Sequence, residues 1–385
     1  MAGEHPRSAR PLRETGVAEV MTSTKVDKHP TAFTATGLPI LQVALNVKQM
    51  TARLAPLLGP IAEGEPAVSY ARLLAYKQGN RGTIRYDVRG LGDLGVPGTA
   101  EGNGHGGEPG SLALLGKLYP QASQAQRVDA ILRGLWGEAF AGADGLGVPR
   151  PVGCVPELSM LIYVPVEGEA LDDVLAGDDQ AAASDAVERT AAWLATLHQA
   201  RLLLDRRLKL DTEVVNLQAW ASLVARTWPV HGDQAARLAA DLRASASSLE
   251  LTTTGPIHKD FHYKHVLVDR GVHGLQVIDF DEVRLGDPGY DTAHFCAHLR
   301  LLACRLEGDP DAFRNLEASF LTAYQANAGE LAAAPFSWFA AYTCLKIAKQ
   351  LCTVRGVRPR PDGDEQRRQV GVMLAQGLAY RGAVA

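Results

Sequence analysis

The side chains best suited to chemistry crowd into one stretch, Gly255 to Asp291. It reads G-P-I-H-K-D-F-H-Y-K-H-V-L-V-D, then a turn, then L-Q-V-I-D-F-D-E-V-R-L-G-D-P-G-Y-D. Val266 to Asp269 is a short β-branched run, Arg270 to Gly274 carries two glycines, and Leu275 to Ile278 is a second apolar run. This pattern predicts a β-hairpin. Asp260 lies just before its first strand and Asp279 just after its second, nineteen positions apart. A hairpin folds the two carboxylates back toward one another. Such a pair suits phosphoryl transfer: one acid orients and deprotonates a hydroxyl, and the other holds a metal that neutralises phosphate charge.

The rest of the chain must position that pair. At 385 residues it suits one two-lobed domain or two domains, with a sizeable core. A net charge of −4 gives no support to a nucleic-acid partner. The five cysteines include no C-x-x-C pair, which argues against a disulfide scaffold or zinc ribbon. Cys296, Cys304, Cys344 and Cys352 fall in apolar helical patterns and read as buried small hydrophobes in a reducing cytosol. No segment has the apolar length to span a bilayer, and no signal-peptide pattern follows Met1. The expectation is a cytoplasmic protein with a small-molecule partner and no membrane contact; oligomeric state stays open.

Residues 1–35 are polar and read as a disordered tail. Leu41, Val43 and Leu45 alternate, which predicts a short strand, and Val47, Met50, Leu54, Leu57 and Leu58 then recur at helical spacing. Val68–Tyr76 and Thr83–Val88 read as strands joined by a turn over Lys77–Gly82. Residues 91–110 form a glycine-rich insertion without periodicity. Its Gly102-Asn103-Gly104-His105-Gly106-Gly107 matches G-x-G-x-x-G, but no strand precedes it and no helix follows, so it reads as a linker. The strand Ser111–Tyr119 carries Lys117 among leucines, a costly placement unless something anionic meets the lysine or its head escapes over a sheet edge. Gln124–Phe140 reads as a helix and Leu158–Val164 as a strand; from Asp179 onward the pattern is almost entirely helical. Strands first and helices later predict an α+β fold with a small β-rich lobe over residues 36–165 and a larger helical lobe over 166–385.

His258-Lys259-Asp260 resembles the H-x-D catalytic loop of kinases, and Ile278-Asp279-Phe280 resembles their D-F-G-type metal motif. Asp287-Pro288 followed by Asp291 resembles the G-D-P-x-x-D stretch of the aminoglycoside phosphotransferase and choline kinase family. Lys77–Gly82 is similar to the run that sugar kinases of the maltokinase type keep in their phosphate-covering turn. The resemblance implies a protein-kinase-like fold and an ATP- and Mg²⁺-dependent kinase. It implies that Asp260 is the catalytic base, that Lys117 reaches the ATP phosphates, and that Asp279 ligates Mg²⁺, with Asp281 helping through a water or capping the next turn. An acid on the following helix should brace Lys117, Asp129 first and Glu138 second. Val164–Gly168 resembles the inter-lobe hinge, where backbone groups would meet adenine. His258 would hold the loop, His198 would pack beneath it, and Asp287 and Asp291 would fix the following loop and helix. The family loop ends in Asn, whereas this chain has His265 there. Nitrogen is a poorer partner for Mg²⁺, so one metal is lost, binds through water, or is Mn²⁺.

Two other classes compete: a nucleotide-binding pseudokinase, motivated by His265, and a metal-dependent hydrolase built on His258, Asp260, His262 and His265. The hydrolase leaves Lys117 and Asp279 without roles. The acceptor of a kinase would be a hydroxyl of a small molecule such as a sugar or an aminoglycoside-like compound. Sparse acids after Asp291 tilt the expectation toward a neutral sugar.

Overall fold

Burial of short amphipathic segments against a twisted sheet starts the chain. The computed structural model describes residues 39–77, 81–91, 111–143, 145–252, 255–269, 274–353 and 363–382. The tail over 1–35, the G-x-G-x-x-G run and all but one residue of the insertion lie outside them, as do residues 78–80 of the predicted turn. Helices α1 (Pro39–Ala44) and α2 (Val47–Leu58) come first. Leu41, Val43 and Leu45 therefore do not form the expected strand. Leu41 and Ala44, one helical turn apart, are the buried pair, and the Tyr86 hydroxyl donates to the Ala44 carbonyl at 2.7 Å. Alternation over five residues also contains an i, i+3 spacing, and the available surface selected the helix. Asn46 caps α2 by accepting the Gln49 N–H at 3.0 Å.

Strands β1 (Ala62–Lys77), β2 (Arg81–Leu91) and β3 (Ser111–Leu118) follow, then helix α3 (Ala122–Gly134), which ends in a wider turn over Leu135–Ala139. After β4 (Leu146–Gly147) come β5 (Pro151–Val155) and β6 (Met160–Tyr163). Five of these strands form one antiparallel sheet in the order β1-β2-β3-β6-β5. Strand β3 is central, and Lys117 sits between Thr83 on β2 and Leu161 on β6. Its head therefore cannot leave over a sheet edge, and the lysine must be met by anions.

The remainder is mostly helical, as an α+β two-lobed fold requires. It holds β7 (Glu169–Ala170), α4 (Leu171–Leu175), α5 (Gln180–Gln199), α6 (Leu210–Val214), α7 (Leu217–Thr227) and α8 (Gly232–Ser245). Then come β8 (Gly255–Ile257), β9 (Val266–Asp269), β10 (Gly274–Val277) and β11 (Arg284–Gly286). Helices α9 (Gly289–Leu306), α10 (Arg314–Ala328), α11 (Ala333–Thr353) and α12 (Gly363–Gly382) complete the chain. No helix among the described residues is long and apolar enough to cross a membrane.

The predicted hairpin forms: β9 pairs with β10 antiparallel, Val266 opposite Val277 and Asp269 opposite Gly274. A second ribbon pairs β8 with β11, Ile257 opposite Arg284. The two ribbons bring the segment before Asp260 and the segment after Asp279 together. Trp193 of α5 lies beneath them, fully buried. It stacks between Phe140 at 5.1 Å and Phe261 at 5.7 Å, and its Nε1–H donates to the Gly147 carbonyl at 2.7 Å.

Strand β8 passes so close to the end of α5 that a Cβ on Gly255 would lie 2.0 Å from the His198 carbonyl oxygen. Neither backbone can rotate away. Gly255→Ala should cost about 1–3 kcal/mol of stability. Gly59→Ala, where a Cβ meets nothing within 4 Å, should stay within about 0.5 kcal/mol. Urea unfolding of the two variants checks this, and equal stabilities would show that the β8–α5 contact relaxes freely.

Candidate active site

The loop from His258 to His265 is held from below by one carboxylate. Asp291, on the first turn of α9 and wholly buried, accepts the backbone N–H of His258 at 2.5 Å and of Lys259 at 2.8 Å. It also faces His198 Nε2 at 3.2 Å, whose Nδ1 meets the Tyr324 hydroxyl at 2.7 Å. Burial pushes the Asp291 carboxyl up, but His198 and the His258 amide outweigh it and hold it below its ordinary range. Asp287 accepts the N–H groups of Thr252 at 2.7 Å and Gly289 at 2.8 Å. His258 completes the frame by donating Nε2–H to the Ile278 carbonyl at 3.1 Å.

Two non-glycine residues in this frame take left-handed backbone, Lys259 at φ 70° and Asp279 at φ 69°. Such conformations persist only where surrounding contacts over-determine them. Lys259 is held at both ends, by its amide on Asp291 and by its Nζ on Glu213 at 2.6 Å.

Asp279 meets the sheet. Lys117 Nζ donates to Asp279 Oδ1 at 2.8 Å and lies 2.9 Å from Asp281 Oδ2. Burial would lower the Lys117 pKa, yet the facing carboxylates hold it well above its ordinary value. Asp279 is driven the opposite way: burial pushes it up, and Lys117 and His265 hold it well below the carboxylate range. Asp281 is only 4% exposed and is fully engaged. Arg81 Nη1 lies 2.6 Å from its Oδ2, and the Tyr119 hydroxyl donates to its Oδ1 at 2.8 Å. Asp281 is thus the brace of Lys117. Asp129 is not: it pairs with Arg133 of its own helix at 2.9 Å, and Arg133 in turn holds the Val152 carbonyl. Glu138 is exposed on the wide turn. The brace comes from the metal segment because that segment, rather than α3, faces Lys117.

His265 ties the two acids together. Its Nδ1 donates to the Asp260 carbonyl at 2.8 Å, and its Nε2 faces Asp279 Oδ2 at 3.7 Å. A ring held by a carbonyl in this way is oriented as metal-ligating imidazoles are. Asp279 Oδ2 and His265 Nε2 therefore fit a divalent cation. The ligand atoms of Asp260, His262 and His265 also lie within 4.8 Å of one another. His262 is the weaker member, because its Nδ1 accepts the Lys264 N–H at 3.2 Å and its Nε2 then carries the proton. Asp281 Oδ2 lies in ion-pair range of Arg81 and Lys117, with which a metal at Asp281 would compete.

Asp260 stands open. Its side chain is 38% exposed, with His294 Nε2 at 3.7 Å and His262 Nε2 and Lys346 Nζ each at 4.0 Å. These contacts exceed hydrogen-bond length. Its lone pairs remain available, among the described residues, to an incoming hydroxyl. Burial raises its pKa, but His294, the other imidazoles and Lys346 outweigh it and hold the carboxyl well below its ordinary range. The Val164 amide is committed to the Arg150 carbonyl at 2.9 Å, so this position offers an acceptor and not a donor to a base.

The model of the phosphotransferase enzyme family matches residues 106–336. No curated protein sequence matches the chain. Among solved structures, a candidate aminoglycoside phosphotransferase from Ralstonia eutropha superposes with a TM-score of 0.57 at 15% identity, covering 86% of this chain and 98% of that one. An amicoumacin kinase, in complex with AMP-PNP, Ca²⁺ and Ami, superposes with a TM-score of 0.51 at 14% identity, covering 90% and 96%. At these identities the likeness is one of fold.

Sequence reasoning missed Tyr119, Arg81, Glu213, Lys346 and the His294–His298 pair. Tyr119 is two residues past Lys117 and shares its strand face, a period-2 signal that was legible. His294 and His298 are one turn apart on α9, and Lys346 interrupts an apolar helix. The rings of His262, His265, His294 and His298 form a chain with centroids 4.1–4.8 Å apart. Burial lowers the pKa of His294 to about 4 and lowers those of His258, His262 and His298 as well. An imidazole whose folded value lies below its unfolded ~6.5 destabilises the fold as pH falls between the two, because the unfolded chain takes the proton first. His294 alone should cost about 3 kcal/mol from pH 7 to pH 4. The stability of His294→Gln, followed by urea unfolding across that range, should fall less steeply by this amount. Identical slopes would mean that His294 is not buried neutral.

Proposed function

Because the chain belongs to the phosphotransferase enzyme family, we propose that it moves the γ-phosphoryl group of ATP to a hydroxyl of a small molecule. The observation that carries this reading is one arrangement. Lys117 is pinned between Asp279 and Asp281, and an open Asp260 carboxylate is tied to Asp279 through His265.

Asp260 accepts a hydrogen bond from the acceptor hydroxyl and aims its oxygen at the γ-phosphorus. As that P–O bond forms, the bond from the γ-phosphorus to the bridging oxygen breaks and its electron pair leaves with ADP. The hydroxyl proton passes to Asp260. A carboxyl held this far into the acid range is a weak base, so its first task is orientation. It takes the proton late, once bond formation has made it acidic, as a loose transition state permits. Lys117 is kept charged by its two carboxylates and can turn to the phosphates. A divalent cation at Asp279 and His265 would supply neutralisation of phosphate charge. On the hinge reading, the Val164 carbonyl would be the acceptor offered to adenine.

Nucleotide binding without transfer is the alternative, motivated by His265. The open Asp260 carboxylate favours turnover. A hydrolase on the imidazole cluster would leave the Lys117 network without purpose.

The two acids should fail differently. Asp260→Asn should keep ATP affinity near wild type and lose transfer by ~10²–10⁴-fold, the usual reach of a general base. Asp279→Asn should weaken metal-dependent ATP binding as well. Calorimetric ATP affinity and steady-state turnover over a panel of hydroxyl compounds measure both. An Asp260→Asn enzyme as active as wild type would sink the assignment, and ATP binding with no transfer to any acceptor would favour the pseudokinase.

His265→Asn exchanges a nitrogen ligand for an oxygen one. The ratio of Mg²⁺- to Mn²⁺-supported ATP binding should rise, since imidazole suits later transition metals and Mg²⁺ demands oxygen. Unchanged metal profiles would place His265 outside the metal's coordination.

A further inference from the structure

A partly buried lysine approaches the open carboxylate of Asp260. Lys346 of α11 points its Nζ at Asp260 Oδ1 from 4.0 Å, with its side chain 18% exposed. Lys349 lies one turn further along the same helix and Lys259 comes from the loop. Burial lowers the Lys346 pKa, Asp260 and Glu213 oppose that, and Lys259 and Lys349 add to it. Lys346 is thus the ammonium that faces Asp260, while Lys259 is spent on Glu213. Glu213 is buried, holds Lys259 at 2.6 Å and accepts the Tyr342 hydroxyl.

A cationic acceptor would need free carboxylates or open aromatic faces. The aromatic faces here are already taken by the chain's own ammonium groups. Lys349 sits 5.2 Å above the Trp220 ring and Lys259 6.0 Å above Tyr290. Lys349 makes no ion pair among the described residues. Among the described residues Lys346 has no ion-pair partner closer than Asp260, at a length where a better acceptor can displace it.

Resting on the phosphotransfer reading, we infer that the acceptor is an anionic hydroxyl compound whose carboxylate is bound by Lys346. A hydroxyl hydrogen-bonded to Asp260 brings groups on the neighbouring carbons toward the Lys346 ammonium. A carboxylate there gains a charge-assisted hydrogen bond that a hydroxymethyl makes only weakly and an aminomethyl cannot make. This departs from the neutral sugar that the sequence suggested.

Two matched series test it: gluconate, sorbitol and glucamine, and glycerate, glycerol and 3-amino-1,2-propanediol. Each series keeps the polyol and changes the terminal charge. ADP release with ATP should give kcat/KM highest for the carboxylates, about 10-fold or more above the alcohols, with the amines lowest. In Lys346→Met the preference for carboxylate over alcohol should collapse to within about threefold, through KM rather than kcat, and Lys346→Arg should restore it. Calorimetry of gluconate and glycerate with the ADP-loaded chain gives a second readout. Preference for the amines, no preference, or a preference that survives Lys346→Met overturns the inference, as does failure of both anions to bind or turn over. Lys346-dependent binding of an anion with no transfer keeps the inference and removes the kinase reading, whereas transfer favouring the amines does the reverse.

Discussion

The buried carboxylate of Asp291 is the constraint on which the site rests. Removing a carboxylate from water costs several kcal/mol, and the charge is tolerated only where hydrogen bonds replace its hydration. Here the replacements are the amides of His258 and Lys259 and the imidazole of His198. Those amides belong to the loop that presents Asp260, so solvating the buried charge and shaping the loop are one act. The left-handed Lys259 follows from this: its amide is drawn down to Asp291 while its ammonium is drawn sideways to Glu213.

A second buried charge joins the sheet to this frame. Lys117 sits on a central strand and has no route to water over an edge. Its charge is sustained by Asp279 and Asp281, which the turn after β10 offers as alternate residues. The result is a polar seam between the β-sheet and the helical part, in which each ion is another's solvent. Arg81 reaches the same seam from the start of β2. A nucleotide phosphate entering there would compete with the carboxylates for cations already in place, which is preorganisation of the kind that electrostatic catalysis uses.

Around Asp260 the balance of charge runs the other way. His294, His262, His265 and the Lys346 ammonium outweigh burial and hold the carboxylate below its ordinary range, and its exposed edge is its free edge. The same imidazole chain carries His265 to Asp279, so Asp260 and Asp279 are mechanically coupled through one ring.

Much of this was legible in the residues themselves. The spacing of His258, Asp260 and Asp279 around two short apolar runs predicted the hairpin, because turn chemistry and alternation are local properties. Strand-then-helix order predicted the two-lobed α+β fold for the same reason, and the motif resemblance implied its kinase-like form. The partner of Lys117 was not legible. Asp129 and Asp281 are both plausible anions in sequence, and only the packing of α3 decided that Asp129 turns to Arg133. The strand expected at Leu41–Leu45 became a helix because a five-residue alternation fits both periods, and the surface beneath it chose. The lysines beside Asp260 come from a loop and from a helix about ninety residues away. No local pattern links Lys346 to Asp260; their approach is set by the packing of α9 and α11, and so the charge beside Asp260 was written by tertiary structure alone.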